Sequence, residues 1–175
     1  NWDDSLRNIA SVLSGEFLRH KELLQSTRIN EFDKEYYRKV AAQKTDEVEL
    51  SQSLLILSRM LDEHYGIAPV IIIDEYDTPI QQGYTAGFYE QSVAFMRNFF
   101  SGGLKDNTHL SYGFMTGILR VAKESIFSGL NNLKINSIMD QKYSEYFGFT
   151  CDEVKALAAY YEASDKYDEI CQWYD

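Results

Sequence analysis

The sequence predicts an α/β protein with a mostly parallel, doubly wound sheet, followed by a C-terminal helical segment. Three observations carry that reading. Two short apolar runs, at residues 70–73 and 110–116, have the length and residue types of strands buried in a sheet. Segments whose apolar residues recur three and four apart, the period of one helix face, lie before, between and after them. The resulting order of helix, strand, helix, strand calls for right-handed crossovers between parallel strands.

Taken in order, Leu6, Ile9, Leu13 and Phe17 predict a helix over residues 4–25, with a kink or break at Gly15, since an interior glycine costs about 1 kcal/mol relative to alanine. Tyr36, Tyr37 and Val40, set among charges, predict a short surface helix at 33–43. Asp46 and Glu49 form a capping-box pair, and Leu50, Leu54, Leu57 and Leu61 continue it as a helix ending near Gly66. Pro69 stops that helix, and the β-branched run 70–73 reads as a central parallel strand buried on both faces. Tyr89, Val93, Met96 and Phe100 mark the next helix, closed by Gly102-Gly103; the second strand, 110–116, ends at Gly117, and 133–138 offers one further short strand. Thr150 and Glu153 make a second capping box. Val154, Leu157, Ala158 and Tyr161, then Tyr167, Ile170, Cys171 and Tyr174, predict a helical pair turning at Ala163-Ser164. The division expected is an α/β core at 1–149 and the helical pair at 150–175.

Composition narrows the function classes. A chain of 175 residues is one compact unit or a large piece of one, and 45% apolar with 14% aromatic residues excludes intrinsic disorder. A formal charge of -10 repels phosphate backbones, so direct nucleic-acid binding is not expected. No apolar run approaches the roughly 20 residues that cross a bilayer, and Asn1-Trp2-Asp3-Asp4 opens no secretion signal, so a cytoplasmic location is expected. Cys151 and Cys171, twenty apart and without a CxxC pattern, read as reduced thiols buried in helices. His20, His64 and His109 stand isolated, with no spacing suited to zinc.

The chemistry concentrates where Val70-Ile71-Ile72-Ile73 runs into Asp74-Glu75-Tyr76-Asp77. Ligands of open α/β sheets bind beyond the carboxyl ends of the strands, so acids placed directly after a buried strand point into that crevice. The pattern has the form of a Walker B motif: Asp74 to hold Mg²⁺ through its water shell, Glu75 to orient and deprotonate the attacking water. The alternative is that both acids simply end a strand. Thr116, at the end of the second strand, reads either as a sensor of the γ-phosphate or as a strand terminus. Arg120 reads as a stabiliser of transferring phosphate charge or, with slightly more support, as a solvated surface arginine. Phe95, Phe99 and Phe100 fit a core face better than a base-stacking platform. A helicase reading of Asp74-Glu75-Tyr76-Asp77 lacks a following Ser-Ala-Thr motif. No glycine precedes a lysine, so these residues contain no G-x-x-x-x-G-K-[ST] phosphate cradle and are not expected to hydrolyse ATP by themselves.

The run Val-Ile-Ile-Ile-Asp-Glu-Tyr-Asp-Thr-Pro-Ile at 70–80 resembles the signature of the predicted AAA-ATPase-like proteins of gut and anaerobic bacteria. The likeness extends to Phe-Met-Arg-Asn-Phe-Phe at 95–100, to the stretch 112–132 from Tyr-Gly-Phe-Met-Thr-Gly-Ile-Leu-Arg to Gly-Leu-Asn-Asn, to 143–150 and to Trp-Tyr-Asp at 173–175. It is thus expected from about residue 45 to the last residue. The resemblance implies a partial three-layer P-loop NTPase-like fold, with a Walker A segment upstream of these residues and, often, a PD-(D/E)XK nuclease-like domain downstream. On that basis the chain is a fragment lacking the P-loop strand, 150–175 begins a lid or C-terminal subdomain, and ATP and Mg²⁺ are the ligands of the intact protein. Asp74 and Glu75 match the family's Walker B acids, Thr116 its sensor-like strand end, and Arg120 an arginine of no established role. The competing expectation is a regulatory or interaction module that keeps the NTPase scaffold without hydrolysing nucleotide, favoured if Tyr160, Tyr161 and Trp173 are exposed.

Overall fold

The computed structural model of the chain describes residues 1–118, 126, 127, 130, 133–137, 140–146 and 148–174. It is a mixed α/β protein that divides into two compact units, Asn1–Asn132 and Leu133–Asp175.

In the first unit, helix α1 (Trp2–Arg19) starts at Asn1, whose side chain accepts the Asp4 N–H, with Asp3 and Asp4 in the first turn complementing the helix dipole. The break expected at Gly15 does not occur. Leu13 and Phe17 are buried on either side of it, and that burial outweighs the cost of about 1 kcal/mol for an interior glycine. A 3₁₀ turn, Lys21–Gln25, then buries Leu23.

Helix α2 (Glu31–Ala41) is more than the surface helix expected. Tyr37 and Val40 are each 1% exposed, and the Tyr37 hydroxyl donates to the Phe17 carbonyl. Sequence alone hides this because the buried face of α2 also carries two charges, Asp33 and Lys34, each of which finds a partner of opposite sign. Helices α3 (Glu47–Ser51) and α4 (Ser53–Tyr65) replace the single helix predicted there: the capping box of Asp46 and Glu49 forms, and the chain steps at Gln52 before α4 ends on left-handed Gly66. The buried carboxylate of Asp33 on α2 takes both arms of Arg59 on α4, at 2.5 and 3.1 Å. Asp33→Ala should therefore destabilise the unit by about 2 kcal/mol, less than a fully buried pair because the Arg59 side chain is 34% exposed. Urea unfolding would read this as a lower midpoint, and adding Arg59→Met should recover part of it.

Strands β1 (Val70–Ile73) and β2 (Tyr112–Met115) pair in parallel, Val70 opposite Tyr112 through Ile73 opposite Met115. Between them lie α5 (Thr78–Ala86), which the sequence reading did not anticipate, and α6 (Tyr89–Leu104). The predicted close of α6 at Gly102-Gly103 is corrected: the helix runs on to Leu104. Gly103 is there for a close crossing, because a Cβ at that position would come within 2.6 Å of the Leu54 Cβ on α4.

The expectation of a central strand buried on both faces is also corrected. One face of the pair, with Ile71, Ile73 and Met115, is half-buried, and Leu104 lies so close to Gly113 that a Cβ would meet it at 2.9 Å. The opposite face, with Val70, Ile72, Tyr112 and Phe114, is exposed, Ile72 to 72%. The described residues supply helices to one side only, so the doubly wound arrangement is absent among them.

An aromatic cluster lies within the core of this unit. Phe95, Phe99 and Phe100 are 2%, 7% and 0% exposed, which places them in the interior as the helix period predicts. Phe100 lies 6.2 Å from both Phe127 and Tyr76, ring centre to ring centre, and Tyr76 lies 5.4 Å from Phe127.

In the second unit, residues 133–137 form no strand, and Ile138 of the expected run lies outside the described residues. A lone run of this length, broken by Lys134 and Asn136, has no neighbouring strand among the described residues of its unit with which to form a ladder. Helices α7 (Cys151–Tyr160) and α8 (Tyr167–Tyr174) form as predicted, with Thr150 and Glu153 in a reciprocal capping box. Cys151 and Cys171 are exposed rather than buried: among the described side chains of this helical pair, Ala158 alone is fully buried. Among the described residues no helix is long and apolar enough to cross a membrane.

Candidate functional site

Asp74 and Thr116 each follow directly after a strand, and the parallel register brings them side by side. The ladder continues past both strand ends: the Thr116 N–H donates to the Ile73 carbonyl at 2.9 Å, and the Tyr76 N–H donates to the Thr116 carbonyl at 3.0 Å. Across this bridge the Thr116 hydroxyl donates to Asp74 Oδ1, which also accepts the Glu75 N–H at 3.0 Å. Asp74 and Glu75 are exposed, and Thr116 is half-buried. The pair of acids therefore stands at the carboxyl rim of the sheet, outside any helix.

The backbone turns sharply there. Glu75 sits in the left-handed region at φ 51, a conformation that costs a non-glycine residue about 1 kcal/mol or more and that clusters at functional sites. Its carbonyl accepts the Thr78 N–H, closing the turn into α5, and the Thr78 hydroxyl lies 3.5 Å from Glu75 Oε2.

Asp77 is the residue that sequence reading passed over. It occupies the N-cap position of α5 and is only 1% exposed, with Oδ2 accepting from Gln81 Nε2 at 2.7 Å. Gly117 lies against it, so close that a Cβ would meet Asp77 Oδ1 at 2.7 Å and the Tyr76 ring at 2.6 Å. The signal was available: Asp-Thr-Pro at 77–79 is a helix start, with proline in the first turn. What no local pattern reveals is that Gly117, forty residues on, closes over this carboxylate.

Arg120 lies outside the described residues. Among those described, no cluster of three or more histidine, cysteine, aspartate or glutamate side chains could hold a metal. His109 is instead paired with Asp62 at 2.8 Å, and His64 packs edge-on against Tyr65. A single exposed carboxylate such as Asp74 nonetheless suits Mg²⁺, which keeps most of its waters and takes one or two protein carboxylates beside substrate phosphates.

With this geometry in place, comparison with known proteins is decisive at the level of family. The family described as predicted AAA-ATPase matches residues 9–127. The chain belongs to the predicted AAA-ATPase family. The match takes in both strands and Asp74, Glu75, Thr116 and Arg120. It starts earlier than the expected residue 45, so α2 and α1 from residue 9 onward are part of the family's region, and it stops before 143–150 and 173–175, whose likeness it does not include. An uncharacterized protein in the vnfD 5' region of Azotobacter chroococcum mcd 1 is 34% identical over 111 residues. Those residues are 63% of this chain and 21% of that protein, so the chain spans about a fifth of the length of this relative. No solved structure matches.

Proposed function

We propose that this AAA-ATPase-like chain is the Walker B and sensor portion of a Mg²⁺-dependent ATPase with a three-layer P-loop fold. The observation that carries the reading is the hydrogen bond between Thr116 and Asp74, made at the carboxyl ends of adjacent parallel strands with exposed Glu75 next in line. Asp74 would hold Mg²⁺ through water, and Glu75 would orient and deprotonate the attacking water. Thr116 would link the γ-phosphate position to Asp74, and Arg120 would offset phosphate charge. When bound, Mg²⁺ neutralises charge on the β- and γ-phosphates. The glycine-rich cradle, absent from these 175 residues, would come from another part of the longer protein, and a nuclease-like domain would be attached in cis.

The uncovered face of β1 and β2 supports this reading, because parallel sheets are stable when both faces are covered. The test is Mg²⁺-dependent ATP binding by the protein extended upstream, measured by calorimetry. Saturable binding that disappears with EDTA is expected, and an extended protein with no affinity for ATP would end the proposal.

A second reading, a non-hydrolysing interaction module on the same scaffold, is favoured by one specific observation. Tyr160, Tyr161 and Trp173 are 79%, 70% and 85% exposed on the helical pair. Nucleotide turnover by the longer protein separates the two, since the module would bind its partner without consuming ATP.

A further inference from the structure

The loop that presents the two acids is anchored by a residue to which the chemistry above gives no part. Asp77 is 1% exposed and grips α5 through backbone and side chain together. Its carbonyl accepts the N–H groups of Ile80 and Gln81 at 3.0 Å each, and its Oδ2 accepts from Gln81 Nε2 at 2.7 Å. Burying a carboxylate is costly unless it is hydrogen-bonded, and the start of a helix further favours its charge. The other oxygen, Oδ1, lies against the second loop of the rim. A Cβ on Gly117 would stand 2.7 Å from it and 2.6 Å from the Tyr76 ring, so the backbone of residue 117 sits directly on both side chains. Gly117 has no positive φ, so close approach alone asks for glycine there.

This contact joins the two segments that leave the sheet. Thr116, the donor to Asp74, immediately precedes Gly117, and Glu75 immediately precedes Tyr76-Asp77. Glu75 stands at φ 51, a strained conformation that persists only where its surroundings over-determine it. Asp77 supplies that constraint from one side, tied to α5, and Tyr76 from the other, set against Phe100 and Phe127. We propose that Asp77 is a positioning residue of the nucleotide site: wedged between α5 and Gly117, it clasps the two rim loops together and so fixes Thr116 on Asp74 and Glu75 in its turn. The role in turnover rests on the ATPase reading, whereas the clasp is a property of the fold. Displacing a base and a sensor by about an ångström costs up to about a hundredfold in rate, which is the scale of effect the clasp controls.

Two substitutions open the clasp from opposite sides. Asp77→Asn removes the charge and one acceptor oxygen at nearly constant volume, and Gly117→Ala inserts the colliding methyl group. Amide hydrogen exchange on the whole chain reads the clasp without nucleotide. Both variants should speed exchange about tenfold or more at Thr116 and Tyr76, whose N–H groups bridge the rim, and leave it unchanged at Ser111, whose N–H donates to the Pro69 carbonyl at the far end of the same strands. In the longer protein both should lower kcat for ATP by about ten- to a hundredfold, with KM for Mg²⁺-ATP changed by less than about threefold. If Gly117→Ala does not fold, Asp77→Asn alone carries the test. Exchange that rises equally at Ser111 and along α6 makes Asp77 a residue of general stability, and exchange that stays the same removes the clasp; either result overturns the proposal. Faster exchange at the rim with kcat unchanged in an active longer protein overturns the positioning role alone. A wild-type longer protein that turns over no ATP refutes the ATPase reading and the role in turnover with it, while faster exchange at Thr116 and Tyr76 would still establish the clasp.

Discussion

In the longer protein, Glu75→Gln is expected to slow ATP turnover by at least about a hundredfold while leaving the affinity for Mg²⁺-ATP nearly unchanged, since a positioned general base contributes roughly 10²–10⁴ in rate. The substitution suits the question because it keeps the shape of the side chain and removes only its ability to take a proton. The turn at φ 51 and the closing bond from Thr78 to the residue 75 carbonyl involve backbone alone, so both survive. Asp74→Asn should behave differently. If Asp74 holds the hydrated cation, its loss weakens nucleotide binding in the presence of Mg²⁺ and has little effect in EDTA. Binding isotherms and single-turnover rates, measured with and without Mg²⁺, check both outcomes. Should Glu75→Gln abolish binding as well, the side chain supports the loop into α5 instead of serving as a base, and the catalytic assignment fails.

How much of this was legible in the sequence depends on whether the deciding interaction is local. The capping boxes at Asp46 and Thr150 are read within four residues and formed as expected. The run 70–73 is β-branched and follows a proline, so its strand was legible, as was the emergence of Asp74 and Glu75 at its end. The interior place of Phe95, Phe99 and Phe100 follows from helical period. The glycines were misread for the opposite reason. Gly103 looks like a helix stop, yet its role is set by Leu54, far away in sequence, and Gly15 breaks nothing because Leu13 and Phe17 hold its helix down. The covering of a sheet face is equally non-local. Nothing in Val70-Ile71-Ile72-Ile73 tells a strand buried on both faces from one whose second face finds no cover among the described residues. The cysteines failed on the same ground: an apolar stripe on α8 predicts burial only if something packs against it.

Phe100→Ala should be the most damaging change to the fold, with an expected loss of about 4 kcal/mol, because emptying a fully buried aromatic site costs its transfer free energy plus that of the cavity left behind. Phe100 is 0% exposed and stands between Phe99 at 5.8 Å and Phe127 at 6.2 Å, with Tyr76 also at 6.2 Å. Tyr76 lies between Glu75 and Asp77, so the cavity would open directly beneath the loop that presents the acids. The Tyr76 ring would keep Phe127 at 5.4 Å as its remaining aromatic support in this cluster. Phe114→Ala makes the matched comparison: Phe114 is 51% exposed on the open face of the sheet, and its truncation in this chain should cost about 0.5 kcal/mol or less. Urea midpoints at constant slope give both numbers. If the two substitutions cost the same, the aromatic cluster around Phe100 is not what holds the first unit together, and the rigid seating of Asp74 and Glu75 needs another physical source.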